Sequence, residues 1–316
     1  MKAFVFAGQG CQKEGMGKDL YDKLSSARKV FDEADEIIGY KYSDLIFNSD
    51  EQFLMDTRHT QLAVLIYEVA IAKAQSEIYA DCMAGHSLGE YAALIVSGSI
   101  SFEDGINLIK ARGQILHDSF ETNPGAMGAV IGLPDETVEQ VIKEVGAKND
   151  EKIYIANYNG PGQLVISGTR KGVKMACKEL KELGAKRALV IPMKASGHCP
   201  NAQKEADLLK KYIDKITIKE PVCPIYQCVD GLPHTNPVEI RNNLVNHLTH
   251  PVQWTKITQN MKNNGVTEFY EVGTDDTLQK IISRMCPDRL VTSIWSIETY
   301  KNINPYNINP YNIVEL

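Results

Sequence analysis

Hydrophobic and polar positions follow two different periods along this chain. Short apolar runs of strand length, such as 2–6 and 268–272, alternate with longer segments in which apolar residues recur every three or four positions. The short runs are typical of buried strands, and the longer period is typical of amphipathic helices. Because the two kinds of segment alternate over most of the chain, we predict an α/β fold.

The outer parts of the chain, 1–124 and 192–300, are predicted to form one larger α/β domain, the core. The segment 61–74 is almost wholly apolar and is predicted to be a central helix. The predicted strands of the core are 2–6, 81–84, 222–228 and 268–272, and its predicted helices are 61–74, 90–96, 102–120, 201–213, 237–250, 254–264 and 277–285.

The middle of the chain, 125–191, has a rhythm of its own. Strand-like and helix-like segments follow one another there in the order β-α-β-β-α-β, which is the order of a ferredoxin-like unit. We therefore predict a small ferredoxin-like subdomain inserted into the core. Its predicted strands are 125–133, 152–156, 163–167 and 187–191, and its predicted helices are 134–145 and 171–183.

The end of the chain, 301–316, differs from both parts. It contains Asn-Ile-Asn-Pro-Tyr twice in tandem and has no helical period. A polar segment with two prolines buries little apolar surface, so we predict a flexible tail.

Composition narrows the class of protein. Of the 316 residues, 43% are hydrophobic and 23% are charged, which is typical of a globular protein in water. The net charge of −6 argues against a nucleic-acid partner, because phosphate-binding surfaces usually carry a basic surplus. No apolar run approaches the roughly 18 residues of a membrane span, and the N-terminus lacks the features of a signal peptide.

The seven cysteines are scattered along the chain. Cys223 and Cys228 are the closest pair, and no second Cys or His pair stands at the spacing of a zinc site. We therefore expect a cytoplasmic protein with reduced cysteines and no metal ion.

Residues 85–89, Gly-His-Ser-Leu-Gly, form a G-x-S-x-G motif between a predicted strand and a predicted helix. In a nucleophile elbow, glycines flank a serine on a strained turn, and its hydroxyl projects from the sheet. The alternative is a glycine-rich turn whose serine only caps the helix. The flanking strand and helix favour Ser87 as a nucleophile.

A serine nucleophile needs a base, and His198 is the leading candidate. It lies in a loop after the predicted strand 187–191, at the sheet end where α/β proteins place their sites. His86 is a poor base because neighbours on a turn point apart, and His234, His247 and His250 are predicted to lie on the surface. No carboxylate stands in an obvious loop between Ser87 and His198, so a backbone carbonyl could orient the imidazole.

Arg112 lies on the apolar face of the predicted helix 102–120. A guanidinium on an inward face stays charged and needs an anion. From the residues alone, an internal ion pair or an arginine that reaches the surface is favoured over a carboxylate on the substrate.

Several separated motifs together resemble one family, the malonyl-CoA:acyl carrier protein transacylases of fatty acid synthesis and the related free-standing acyltransferases of polyketide synthases. The resemblance covers about residues 1–295. The matching segments are 6–10 (Phe-Ala-Gly-Gln-Gly), 60–61, 84–94, 112–113, 125–127, 157–159, 161–163, 196–198, 251–254 and 270–273. One departure is Gly197, where the family often has Phe or Ser, and it implies a reshaped acyl pocket.

The resemblance implies that the core, 1–124 and 192–300, is an α/β-hydrolase-like catalytic core, and it implies a role for each site residue. Ser87 would carry the acyl group, and His198 would be the general base and then the general acid. The carbonyl of Gln253 would orient His198, and the N–H groups of Gln9 and Leu88 would form the oxyanion hole. The residues implied to bind substrate are Arg112, which would hold the malonyl carboxylate, together with His86, Asn157 and Asn159.

The resemblance also implies the reaction, transfer of a malonyl group from malonyl-CoA to the phosphopantetheine thiol of acyl carrier protein. CoA is part of the substrate, and no cofactor or metal is required. A monomer is expected, with no membrane and no nucleic acid as partner. One alternative is an acyl hydrolase of the same fold that removes acyl groups from carrier protein, but such enzymes tend to lack the arginine. A non-catalytic carrier-binding module would be expected to have lost Ser87 or His198.

Overall fold

The structure, a computed structural model, describes residues 1–48, 50–75, 78–192 and 196–303. Its strands are β1 Lys2–Phe6, β2 Cys82–Gly85, β3 Ala126–Ile131, β4 Ile153–Gly160, β5 Gln163–Gly168, β6 Arg187–Val190, β7 Ile225–Tyr226, β8 Pro233–His234, β9 Glu268–Val272 and β10 Leu290–Ile294. Its helices are α1 Lys18–Lys23, α2 Ser25–Ile38, α3 Tyr42–Asn48, α4 Glu51–Met55, α5 Thr57–Ala74, α6 Gly89–Val96, α7 Phe102–Thr122, α8 Asp135–Asn149, α9 Arg170–Glu182, α10 Gln203–Ile213, α11 Pro237–Asn246, α12 Trp254–Asn263, α13 Thr277–Met285 and α14 Ile297–Ile303.

The larger sheet has the strand order β10-β9-β1-β2-β7-β8. Its strands are parallel from β10 to β7, and only β8 runs antiparallel to its neighbour. Strand β1 is central, and its last four residues are buried because helices cover both faces of a parallel sheet. The fold is therefore mixed α/β, as the alternating apolar pattern predicts.

Helix α5 is deeply buried next to this sheet. It begins at Thr57, four residues before the predicted start, because the carboxylate of Asp56 accepts from Arg58 N and caps the first turn. The apolar segment 61–74 lies inside it and packs against α2, α6 and α7. These contacts place helix α7, and with it Arg112, above the end of β2.

The smaller sheet is antiparallel and has the order β4-β5-β3-β6. Its elements follow the predicted order β3-α8-β4-β5-α9-β6, and α8 and α9 pack against it through an apolar cluster that includes Val138, Val173 and Leu180. Strand β4 joins it to the rest of the chain: Val252 N donates to Ala156 O (2.8 Å), and Tyr158 N donates to Val252 O (2.9 Å). The two sheets are thus fixed on either side of a cleft.

Three further predicted segments differ from the structure at one of their ends. Helix α11 ends at Asn246 instead of residue 250, because the residue before Pro251 avoids helical geometry and the chain turns there. The predicted helix 201–213 begins as a short 3₁₀ turn, Pro200–Ala202. The predicted tail begins inside α14, which continues to Ile303, and 304–316 lie outside the described residues.

Two further features bear on the class of protein. All seven cysteines are free and buried, so the pair Cys223 and Cys228 forms no disulfide. Within the described ranges, no helix combines the length and the apolar character that a membrane crossing requires.

Candidate active site

The turn between β2 and α6 has the geometry of a nucleophile elbow. Ser87 has a φ of 52°, a left-handed conformation that non-glycine residues rarely adopt. A Cβ on Gly85 would lie 1.9 Å from the carbonyl carbon of Gly89, and a Cβ on Gly89 would lie 2.3 Å from Ala7 O. Only glycine fits at positions 85 and 89, so the G-x-S-x-G motif is more than a helix cap.

The structure brings Ser87 and His198 together across 111 positions of sequence. Ser87 Oγ lies 2.7 Å from His198 Nε2, and His198 also has a left-handed φ of 54°. His198 Nδ1 lies 3.0 Å from the carbonyl oxygen of His247. Because a carbonyl only accepts, Nδ1 carries the ring proton and Nε2 is free to accept from the Ser87 hydroxyl.

The prediction that the Gln253 carbonyl orients His198 is wrong. That carbonyl accepts from Ile257 N (2.9 Å) in the first turn of α12, while Gln253 N donates to Cys228 O. The orienting group is the carbonyl of His247, which follows the last residue of α11. The prediction of a surface position for His247 is also wrong, since its side chain is fully buried. The signal in the sequence is Pro251, which ends the helix early, so that residues 247–249 turn onto the core.

The surroundings of His198 favour its neutral form. Burial is the largest cause, the positive charge of Arg112 and the proximity of His86 add to it, and the pKa of His198 falls to about 3. The hydrogen bonds to the carbonyls of His247 and His250 oppose this shift. At neutral pH the imidazole is therefore unprotonated and can act as a base.

Arg112 is buried next to the nucleophile. Its Nη1 donates to Gln61 Oε1 (2.5 Å), its Nη2 lies 3.5 Å from Ser87 Oγ, and the guanidinium stands 5.6 Å from the ring centre of Tyr91. Only 3% of the residue is exposed. No Asp or Glu in the described ranges forms an ion pair with it, so the expectations of an internal ion pair and of a surface-reaching arginine are both wrong. The site therefore holds a buried cation that has no carboxylate partner among the described residues.

The other residues implied to bind substrate lie around the same space. His86 Nε2 is bonded to Asn159 Oδ1 (2.8 Å), which turns the ring away from Ser87 and agrees with its exclusion as the base. Asn157 lies in β4 and is buried. A cavity of about 280 Å³ connects these groups, and its lining includes Gln9, His86, Ser87, Arg112, Met127, Asn157, Asn159, Gly197 and His198.

Gln9 and Leu88 present backbone N–H groups beside the elbow. Gly8 lets the Gln9 loop approach, because a Cβ there would lie 2.7 Å from His86 O. Leu88 immediately precedes α6, where helix geometry leaves N–H groups without partners. In the described part of the chain neither N–H donates to a protein acceptor, so both remain available to an oxyanion.

One group of potential metal ligands occurs within the described ranges. An oxygen of Glu90, the sulfur of Cys228 and a ring nitrogen of His247 lie within 4.8 Å of one another, all buried. The Glu90 oxygens already accept from Gln227 Nε2 (2.9 Å) and Cys228 N (2.6 Å), and the thiol donates to Gly85 O (3.1 Å). Hydrogen bonds therefore account for the Glu90 and Cys228 atoms, and we assign no metal to this cluster.

This chain is similar to known acyltransferases. Residues 3–302 match the family model described as acyl transferase domain. A malonyl CoA-acyl carrier protein transacylase of Bacillus subtilis (strain 168) is 38% identical over 287 residues, which is 90% of each chain. The crystal structure of an acyl carrier protein S-malonyltransferase from Vibrio cholerae is similar with a TM-score of 0.91 at 33% identity, covering 96% of this chain and 99% of that chain.

A second solved structure, PlMCAT:AntF, shows a type II PKS acyl-carrier protein in complex with its malonyl-transacylase. The match has a TM-score of 0.91 at 31% identity and covers 96% of this chain and 99% of that chain. From the family match and these similarities, the chain belongs to the acyl transferase domain family and is an acyltransferase.

Proposed function

We propose that this enzyme transfers a malonyl group from malonyl-CoA to the phosphopantetheine thiol of acyl carrier protein, through a covalent acyl-Ser87 intermediate. The observation that carries the choice of donor is Arg112, a buried cation that forms no ion pair within the described ranges and whose Nη2 lies 3.5 Å from Ser87 Oγ. In malonyl-CoA the free carboxylate stands one methylene from the reacting carbonyl. A planar guanidinium at this position can accept it through two parallel hydrogen bonds.

The first half-reaction forms the acyl-enzyme. His198 Nε2 takes the hydroxyl proton of Ser87 while Oγ attacks the thioester carbonyl, and the 2.7 Å contact is short enough for this transfer. The negative charge on the carbonyl oxygen is received by the N–H groups of Gln9 and Leu88. The thiolate of CoA leaves with a proton from His198, and Ser87 retains the malonyl group as an ester.

The second half-reaction repeats these steps with a different nucleophile. The phosphopantetheine thiol of the carrier protein gives its proton to His198 and attacks the malonyl ester, and the proton returns to Ser87 as the bond breaks. No step draws on a redox cofactor or a metal ion. The relative that forms a complex with its acyl-carrier protein supports this choice of acceptor.

The acyl pocket has spare room beside Gly197. Among the described residues, a Cβ at this position would meet only Met127 Sδ, at 4.0 Å, and Gly197 lines the cavity. We propose that methylmalonyl-CoA also fits as a donor, because it keeps the carboxylate that Arg112 requires.

The two sheets correspond to two structural parts of the chain. We infer an α/β-hydrolase-like core, 1–124 and 192–300, since the elbow follows a strand of a mostly parallel sheet. We infer a ferredoxin-like subdomain over 125–191 from its element order and from the sheet order β4-β5-β3-β6. A cytoplasmic monomer remains our expectation.

The test is to trap the intermediate. Intact-protein mass spectrometry after incubation with malonyl-CoA should show one added malonyl group, and peptide mapping should place it on Ser87. The Ser87→Ala variant is the control and should stay unmodified. Holo acyl carrier protein should discharge the adduct much faster than buffer does. An adduct on the Ala variant would contradict the assignment of Ser87, and equally fast discharge in buffer would identify a hydrolase instead.

A further inference from the structure

Glu90 is a buried carboxyl group three residues after the nucleophile. It lies in the first turn of α6 and is completely inaccessible to solvent. Burial raises its pKa, while the hydrogen bonds from Cys228 and Gln227 act in the opposite direction. A carboxyl group is costly to bury, so its place beneath the elbow calls for a physical reason.

His247 faces this carboxyl group. Its Nε2 lies 3.9 Å from Glu90 Oε2, within ion-pair distance but longer than a hydrogen bond. Neither ring nitrogen has a hydrogen-bond partner in the described part of the chain. The ring packs edge-on against Tyr91 (5.5 Å between ring centres) and His198 (5.2 Å). An unpaired buried N–H is unfavourable, and a small rotation of the ring would pair it with Glu90.

The same residue holds the catalytic base. The carbonyl oxygen of His247 is the acceptor for His198 Nδ1 at 3.0 Å. Movement of the His247 side chain would therefore move the acceptor that sets the tautomer and the orientation of His198. Glu90 also binds Cys228 N, and the Cys228 thiol donates to Gly85 O at the end of β2. Glu90 thus contacts Cys228, which is bonded to the strand before the nucleophile, and it faces His247, which orients the base.

We propose that Glu90 and the His247 side chain form a buried positioning pair, in which His247 Nε2–H donates to Glu90 and thereby fixes the carbonyl that orients His198. In a serine–histidine–carboxylate triad the acid accepts the Nδ1–H directly. In this chain the backbone carbonyl of His247 accepts the Nδ1–H of His198. The acid, Glu90, faces the side chain of His247 instead of His198. The inference rests on the proposed function in that it takes Ser87 and His198 as the catalytic pair.

Two variants at position 247 separate the donor from the packing. His247→Gln keeps an N–H donor and the backbone carbonyl, whereas His247→Leu fills similar space without a donor. Loss of one hydrogen bond at a buried group corresponds to about tenfold in rate. We expect kcat to fall by about that factor in the Leu variant, with KM for malonyl-CoA little changed, and to recover in the Gln variant. Melting temperatures of both variants check that they fold.

A second measurement reads the tautomer directly and does not depend on turnover. Long-range ¹H–¹⁵N correlation spectra of protein labelled at its histidine rings should show His198 protonated only at Nδ1 in the wild type and the Gln variant. The Leu variant should show a mixture of tautomers. An unchanged tautomer and kcat in the Leu variant would overturn the proposal, and so would an equal loss in both variants. Failure of the proposed function would look different, since the wild type would then form no malonyl adduct.

Discussion

Ser87 and His198 lie 2.7 Å apart, yet the chain supports them in different ways. The nucleophile is held by residues next to it in sequence, because Gly85 and Gly89 permit a turn that no side chain would allow. The base is held by contacts from distant segments, including the carbonyl of His247. The nucleophile is therefore fixed by local backbone geometry, whereas the base depends on how separate parts of the core pack together.

The strictest test of the nucleophile side is Gly85→Ala. Its new Cβ would lie 1.9 Å from the backbone of Gly89, so the elbow cannot form without displacing α6. We expect the free energy of unfolding to fall by about 4–5 kcal/mol or more. The matched control is Gly197→Ala, whose Cβ would have Met127 Sδ, at 4.0 Å, as its one neighbour in the described part of the chain. Equal stability of the two variants by chemical denaturation would refute the steric explanation.

On the base side, the largest effect should come from His198→Ala. A general base typically contributes about 10²–10⁴-fold, and we expect kcat/KM to fall on that scale while the fold is retained. His234→Ala serves as the control, because that ring bonds Asp230 and Glu239 away from the cleft. Turnover by the His198 variant within a few-fold of wild type would remove it from the mechanism.

The pH dependence of kcat/KM should reflect the burial of His198. Because the folded protein lowers the pKa of this imidazole to about 3, it stays unprotonated as the pH falls through about 6.5, the usual histidine value. Activity should therefore persist to more acidic pH than an exposed histidine would allow. A half-maximal point near pH 6.5 would mean that water reaches the ring in solution.

The smallest effect is expected for Gln253→Ala. Its carbonyl accepts from Ile257 N and does not face His198, and the substitution keeps the backbone in any case. We expect kcat to change by less than about twofold, within the range of a substitution that removes no catalytic contact. A loss comparable to that of His198→Ala would give the Gln253 side chain a role that the structure does not indicate.

The same contrast explains what could be predicted from the sequence. Strand β9 and helix α13 match the predicted bounds, because their apolar periods are uninterrupted and their ends are marked by turns. The elbow was predictable because glycine and serine alone encode it. The role of His247 was not, because its burial depends on a turn before Pro251 that packs onto Tyr91 and His198.

Arg112 lies between these two cases. The apolar stripe of its helix predicted an inward position, and the structure confirms that it is buried. The partner that is favoured from the residues alone, an internal carboxylate, is wrong, because a sequence does not record which long-range contacts are missing. Which groups surround Arg112 depends on how α5, α6 and α7 pack together. Within the described ranges this packing brings Gln61 to the guanidinium and no carboxylate into ion-pair distance.

The central claim is that Arg112 selects a donor with a free carboxylate, and one measurement tests it most directly. We would determine kcat/KM for malonyl-CoA and acetyl-CoA, in the wild type and in Arg112→Ala, at a fixed concentration of carrier protein. A buried cation left unpaired costs roughly 3–5 kcal/mol, so the wild type should prefer malonyl-CoA by about 10²–10⁴-fold. In the variant, malonyl transfer should fall steeply while acetyl transfer holds or rises, so that the preference collapses. An equal loss for both donors would contradict the account and leave Arg112 with a structural role.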